Sequence, residues 1–461
     1  MSVVAVLDIG KTSVKLSAAT PDGALLETIT AGNPVLPGPP YRHHDMGALE
    51  SWVLDGLASL GTRHRIAAVV ATGHGSGGVL VGPDGPAMPM IDYEQPAPEG
   101  LDDTYRTIAG SFRERGSPVM LGSAHLARQL LWLERDFPDA FAGATAFLAV
   151  PQYWAWRLSG VAASEVTSLA AQSHLWCSVE GRPATLVAAR GWERLLPPLR
   201  PAWERLGPLT PALAARTGLP GDTAVLTGVH DSSANLYRFQ AAGLSNLTVV
   251  STGTWIVALS DRPGPDFDRE QPGLCCNADV TGHPLPGLLT MGGREFSAVA
   301  GDTAGVADAG TVARLVASGT MALPSFGSDD ALFPGTARRG RIVGPLASEA
   351  AVRPSLAVLY AALLTDRCLD PVPTANVVLD GSFTRDPLFA ALVAALNPGR
   401  TVRVAPDSHG VSSGAALLAG HATRTAPAPL ALRTPVPIDI PTLSAYRDRW
   451  RAEANTKETT R

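Results

Sequence analysis

Asp8 closes an apolar run, Val3 to Leu7, and is followed by Gly10, Lys11, Thr12 and Ser13, with Lys15 just beyond. A strand–turn–strand segment carrying a glycine, two hydroxyls and two ammonium groups can cradle phosphate through backbone N–H groups and fixed positive charge. A carboxylate at a strand end, as at Asp8, suits Mg²⁺, largely through water because that ion keeps much of its hydration shell. The segment is neither GxxxxGK[ST] nor GxGxxG opening a helix, so it is not a P-loop or a dinucleotide fingerprint. A second turn, Thr252, Gly253 and Thr254, follows the apolar run Leu247 to Val250 in the same manner. By pattern Gly10 aligns with Gly253 and Thr12 with Trp255, as an internal duplication would produce. Asp231 lies between the two turns, where a strand end at Gly228 to His230 feeds a helix. A carboxylate there either caps the helix or accepts a hydroxyl proton during phosphoryl transfer. His74 and Gly75 stand in the Gly-rich stretch 72–78, and Asp92 and Glu94 could accept hydroxyl hydrogen bonds from a polyhydroxylated ligand. Arg294 and Glu295 are a further pair of polar candidates.

Hydrophobic periodicity supplies the elements that must hold these groups. Period-two runs read as strands near residues 3–7, 14–18, 24–29 and 66–71, with hairpin strands at 79–81 and 247–259. Residues 45–60, 124–136, 149–158 and 184–196 read as helices, with Arg128, Glu134 and Arg135 on the outer side of the second. A strand at 224–226 precedes the Asp231 junction. Strands at 376–379 and 401–404 flank a helix at 387–396, and residues 410–420 form a Gly/Ala-faced helix suited to close packing. A polar tail is expected from about residue 451.

Composition narrows the function. The chain has 461 residues, 45% hydrophobic and 17% charged, which excludes disorder and a coiled coil and gives two or three domains. A net charge of −5 gives no long-range pull toward nucleic acid or an anionic membrane surface. With no apolar run of about 18 residues, no membrane helix is expected. The four cysteines, Cys177, Cys275, Cys276 and Cys368, form no CxxC pair and read as buried apolar residues of a reduced, cytoplasmic protein. Only three lysines, Lys11, Lys15 and Lys457, occur among 37 basic residues, and two of them flank the first turn.

Taken in order, the segments 8–13, 228–231, 251–254 and 410–420 resemble the FGGY carbohydrate kinases of the actin-like ATPase superfamily. Segments 130–133, 156–160 and 209–220 are similar as well, so the resemblance covers residues 3–422. It implies an α/β fold of two ribonuclease-H-like domains with an interdomain cleft. Residues 1–227 would bind sugar and carry the first phosphate hairpin, 228–435 would bind nucleotide, and 436–461 would be a polar tail. The implied activity is ATP-dependent phosphorylation of a small sugar, a ketose or polyol, with Asp231 as general base and Asp8 holding Mg²⁺. Gly10, Lys11, Thr12, Ser13, Lys15, Thr252, Gly253 and Thr254 would face the phosphates, and Gly381, Ser382 and Gly410 the adenosine. His74, Gly75, Asp92 and Glu94 would lie near the sugar. The expected partners are the sugar and ATP, with a homodimer left open and neither nucleic acid nor membrane involved. Where relatives carry a Trp-Asn-Asp-like or Tyr-Arg-Asp-like triplet, this chain has Asp92, Tyr93 and Glu94. The competing reading is a nucleotide-binding sensor or a catalytically silent actin-like relative.

Overall fold

The computed structural model of the chain describes residues 2–303, 305–327, 330–407 and 409–455. Strand β1 (Val3–Ile9) is buried along its whole length, as a continuous apolar run is when both sheet faces are covered. It pairs antiparallel with β2 (Ser13–Ala19), which pairs antiparallel with the edge strand β3 (Leu25–Gly32). On its other side β1 pairs parallel with β4 (Ile66–Gly73). Strands β5 (Arg205–Pro208) and β6 (Ala224–Leu226) extend the sheet beyond β4, and β7 (Val229–His230) joins the end of β4 in parallel. The first sheet therefore runs past residue 227 as far as His230.

The second sheet repeats this plan. Its central strand β8 (Leu247–Thr252) pairs antiparallel with β9 (Trp255–Ser260). Strands β10 (Leu274–Ala278) and β11 (Pro284–Met291) continue that side. On the other side lie β12 (Asn376–Gly381), parallel to β8, and β13 (Thr401–Val404). Ile9 pairs with Val14 at the mouth of the first turn and Thr252 with Ile256 at the mouth of the second. Gly10 thus matches Gly253 as expected. The second turn is one residue shorter, so Ser13 rather than Thr12 is the equivalent of Trp255.

Helices cover and join the sheets. In α1 (Met46–Gly61), Asp45 accepts the Ala48 N–H at 3.0 Å as a cap, and Leu49, Val53, Leu57 and Leu60 are buried against the first sheet. Helix α2 (Asp231–Ala241) serves both halves. Its Ala234 and Tyr237 join the apolar cluster of Val4, Val6 and Val70, while Leu236 and Phe239 join that of Leu247, Val249 and Val378. Helix α3 (Arg353–Leu369) is buried on nearly every side in the second core. Helix α4 (Gly410–Leu417) packs Ala415, Ala416 and Leu417 into the cluster with Val4 and Val6. Among the described residues no helix is long and apolar enough to cross a membrane.

Three expectations are corrected. Residues 443–454 are not a polar tail but helix α5 (Leu443–Ala454), with Leu443, Tyr446, Trp450 and Ala454 buried at helical spacing. Its Tyr446 hydroxyl donates to the Thr320 carbonyl and its Trp450 Nε1–H to the Ala322 carbonyl, each at 2.7 Å. The charged residues between the anchors mask this stripe in the sequence, and residues 456–461 lie outside the described residues. The helix expected over 184–196 is two pieces, Thr185–Ala189 and a 3₁₀ turn Trp192–Leu195, because Gly191 is left-handed at φ 67°. Arg128 is buried rather than outward, since its guanidinium donates to Asp102 and to the Met120 and Leu121 carbonyls.

Candidate active site

Strands β1, β4 and β7 end side by side. Thr72 and Gly73 pair with Asp8 and Ile9 on one flank and with Val229 and His230 on the other. Asp8, His74 and Asp231 therefore emerge at the carboxyl ends of neighbouring parallel strands, the edge at which open α/β sheets bind ligands. The β8–β9 turn and the end of β12 face them. Together they line a cleft of about 480 Å³ that includes Gly10, Lys11, Thr12, Ser13, Lys15, Gly75, Thr252, Gly253, Thr254, Gly381, Ser382 and Gly410.

Asp8 is buried, and Lys15 stands directly opposite it on β2 with Nζ 3.8 Å from Oδ2. Burial pushes the Asp8 carboxyl up to about 6; Lys15 pulls it down, and the charge of Asp231 pushes it further up. Two carboxylates, Asp8 and Asp231, share this end of the cleft with the Lys15 ammonium, an oxygen-rich donor set of the kind that suits Mg²⁺. Asp231 is the first residue of α2. Its Oδ1 accepts the Ser232 N–H at 2.5 Å and the Ser232 hydroxyl at 3.1 Å, with His230 Nε2 3.1 Å away. Burial holds His230 below the ordinary imidazole value. The His74 ring nitrogens are buried without partners among the described residues. Burial, reinforced by His44 and Lys11, brings His74 down to about 3, so the neutral ring offers one donor and one acceptor.

The two lysines part company. Lys15 keeps to Asp8, but the Lys11 ammonium is 2.5 Å from Asp92 Oδ1, and Arg42 donates to Asp92 Oδ2 at 2.5 Å. Asp92 is fully buried with both oxygens engaged, so it does not face the cleft as a sugar acceptor. Burial pushes its carboxyl up, but Lys11, the Glu94 N–H and Arg42 outweigh that and hold it below the usual range. Glu94 pairs with Arg294 of the other half, closing a side cavity lined also by Tyr93 and Trp255. Tyr93, between the two acids, does reach the main cleft, with its ring centroid 5.4 Å from that of His74. Glu295 is buried away from the cleft and accepts the Phe326 and Gly327 N–H groups and the Tyr360 hydroxyl.

On the opposite wall the Thr252 hydroxyl is already spent. It donates to the Asp380 carbonyl at 2.8 Å and accepts the Phe383 N–H at 3.2 Å, while Gly253 and Thr254 line the cleft. At two glycines here an added side chain would force its neighbours to shift. A Cβ on Gly381, at φ +100°, would lie 2.0 Å from the Thr252 carbonyl oxygen, and one on Gly410 would lie 1.9 Å from Asn235 Oδ1. Beside Ser382 and Arg385 opens a second cavity of about 360 Å³, walled by Phe296, Phe383 and Phe389, with the Phe296 and Phe383 rings 5.2 Å apart. A flat heteroaromatic ring fits such a slot.

Sequence reasoning missed Tyr93, Gln172, Trp255, Asn277 and Asp380, all of which line the cleft. Asp380 was findable: it ends β12 beside Ser251 of β8, much as Thr72 ends β4 beside Asp8 of β1.

The N-terminal domain of the FGGY family of carbohydrate kinases matches residues 3–237, and the C-terminal domain of carbohydrate kinase FGGY matches residues 245–427. The chain belongs to the FGGY family of carbohydrate kinases, two-domain enzymes of actin-like ATPase fold that phosphorylate sugars with ATP. Among solved structures it is similar to a carbohydrate kinase from Novosphingobium aromaticivorans, at 32% identity and TM-score 0.85, over 98% of this chain and 99% of that one. A ligand-bound xylulose kinase from Lactobacillus acidophilus shares the fold at 16% identity and TM-score 0.80, over 98% and 97% of the two chains. A gluconate kinase from the same organism does so at 16% and 0.79, over 98% and 96%. A search of curated proteins returns no match.

Proposed function

We propose that this kinase phosphorylates a small ketose or polyol, with Asp231 as the general base. The observation that carries the reading is the convergence of Asp8, His74 and Asp231 at three adjacent strand ends, facing the Gly253 turn across one cleft. In this reading the sugar lies beside His74, Gly75 and Tyr93. Asp231 takes the proton of one sugar hydroxyl as that oxygen attacks the γ-phosphorus in line; the new O–P bond forms as the bond to ADP breaks, and the proton later passes to solvent. The backbone of the Gly10 and Gly253 turns, with Thr12, Ser13 and Thr254, supports the phosphates, and Lys15 adds positive charge. Asp8 would hold Mg²⁺, which when bound supplies charge neutralisation at the phosphates. The phenylalanine-walled slot beside Ser382 takes the base. A cytoplasmic setting belongs to the same proposal, and a homodimer is left open.

An ADP-release assay over ketoses, aldoses and polyols tests it, with the phosphorylated product identified. Release that depends on one ketose or polyol supports the reading. Sugar-independent ATP hydrolysis without a phosphorylated product contradicts it and favours a nucleotide sensor.

A further inference from the structure

Gln172 has left-handed backbone, φ 53°, which a long side chain rarely adopts. Its neighbours hold it there. His125 Nε2 accepts the Met120 N–H at 2.8 Å, so Nδ1 is the nitrogen that donates to the Gln172 carbonyl at 2.7 Å. The His125 ring stacks on His174 at a centroid distance of 3.6 Å. His174 is fixed in turn by the hydroxyls of Tyr105 at 2.7 Å and Ser117 at 2.9 Å. Both histidines are buried, and burial keeps both neutral. A satisfied buried network of this kind specifies one arrangement of the chain.

That arrangement brings Gln172 to the cleft, where its Nε2 donates to Asn277 Oδ1. Asn277 comes from β10, in the other half of the molecule. It is fully buried, lines the same cleft as Asp231 and His74, and its Nδ2 has no partner among the described residues. A buried donor without a partner calls for an explanation, and the cleft supplies one.

We infer that Gln172 and Asn277 bind non-reacting hydroxyls of the sugar, one amide from each half, so that the contact is complete only when both halves enclose the substrate. The inference rests on the sugar-kinase reading and deepens it. Hydroxyls suit the pair because each donates and accepts, as each amide does. A site built to hydrogen-bond a hydroxyl rejects the analogue that lacks it far more strongly than an apolar pocket could.

The test uses the sugar that wild type phosphorylates in the ketose and polyol panel, together with its deoxy analogues. Gln172→Gly removes the amide while keeping the left-handed backbone unstrained, and Asn277→Ala removes its partner. Each is expected to raise the sugar KM about tenfold or more, leave the ATP KM within about twofold, and collapse the discrimination against one deoxy analogue. Gln172→Asn, which tolerates the same backbone but shortens the reach, should give an intermediate effect and serves if the glycine variant loosens the loop. Unchanged sugar KM and unchanged deoxy discrimination overturn the inference while leaving the kinase reading intact. Failure of wild type on every ketose and polyol overturns the proposed substrate class, and the amide assignment with it.

Discussion

The Lys11 ammonium lies 2.5 Å from the Asp92 carboxylate and ties the first glycine turn to a loop far along the chain. Arg42 completes the arrangement from the other side of the carboxylate. Asp92 is fully buried, and the Lys11 side chain is only 9% exposed. Replacing Lys11 with Met leaves a buried charge short of a partner, which costs about 3 kcal/mol. Denaturant unfolding of Lys11→Met checks the figure. In kinetics the variant is expected to affect the sugar KM more than the ATP KM.

Lys15→Ala is the contrasting case. Its side chain is 42% exposed and its ammonium 3.8 Å from Asp8, so its loss costs stability no more than about 1 kcal/mol. ATP and Mg²⁺ dependence are expected to weaken instead. Identical effects of the two lysine variants on sugar and ATP kinetics would contradict the division of labour drawn here.

That division was not legible in the sequence. Spacing placed both lysines beside a phosphate turn, but the pairing of Lys15 with Asp8 across the strands emerges only in the folded hairpin. Nothing local shows that Lys11 reaches Asp92, because the partner arrives through tertiary folding. The same holds for Thr252, whose hydroxyl is claimed by the backbone at residues 380 and 383. By contrast the strand–turn–strand duplication was readable from apolar periodicity, with an error of one residue in the second turn. The C-terminal helix was readable in principle, since Leu443, Tyr446, Trp450 and Ala454 follow helical spacing, but the surrounding arginines and acids dominate the composition there.

The proposed role of Asp8 in holding Mg²⁺ predicts pH-dependent metal binding. Its folded value, about 6, lies above the ordinary 3.8. Between those values the native state binds more protons than the unfolded chain, so without cation stability falls as pH rises through that window. Mg²⁺ needs the ionised carboxylate, so its affinity is expected to drop about tenfold per unit below pH 6. Thermal unfolding with and without Mg²⁺ from pH 5 to 8 measures this through the ligand-induced shift. In Asp8→Asn the Mg²⁺ shift should vanish, and a shift equal to that of wild type would contradict the assignment.

Gly410 and Gly253, both proposed to face the nucleotide, divide by geometry. Gly410→Ala forces a methyl to within 1.9 Å of Asn235 Oδ1 and 2.1 Å of Asp380 Oδ2. It is expected to cost about 1–3 kcal/mol in overpacking and to weaken ATP binding. A Cβ on Gly253 meets nothing within 4 Å, so Gly253→Ala should keep wild-type stability. Its ATP KM should still rise if, as proposed, the Gly253 backbone closely approaches the phosphate. Calorimetry of nucleotide binding beside thermal unfolding separates the two outcomes.

Helix α5 contributes to the stability of the second core. Trp450 is fully buried and hydrogen-bonded to the Ala322 carbonyl. Trp450→Ala is expected to cost about 3–5 kcal/mol, read as a fall in the denaturant midpoint. A change below about 1 kcal/mol would mean that the helix is only loosely docked.

The proposed mechanism turns on Asp231 accepting the sugar proton. Single-turnover kinetics of Asp231→Asn, with ATP and sugar affinities measured in parallel, test it most directly. A fall of about 10²–10⁴-fold in the phosphoryl-transfer rate, with ATP affinity nearly unchanged, is expected. Transfer at the wild-type rate in Asp231→Asn would contradict it.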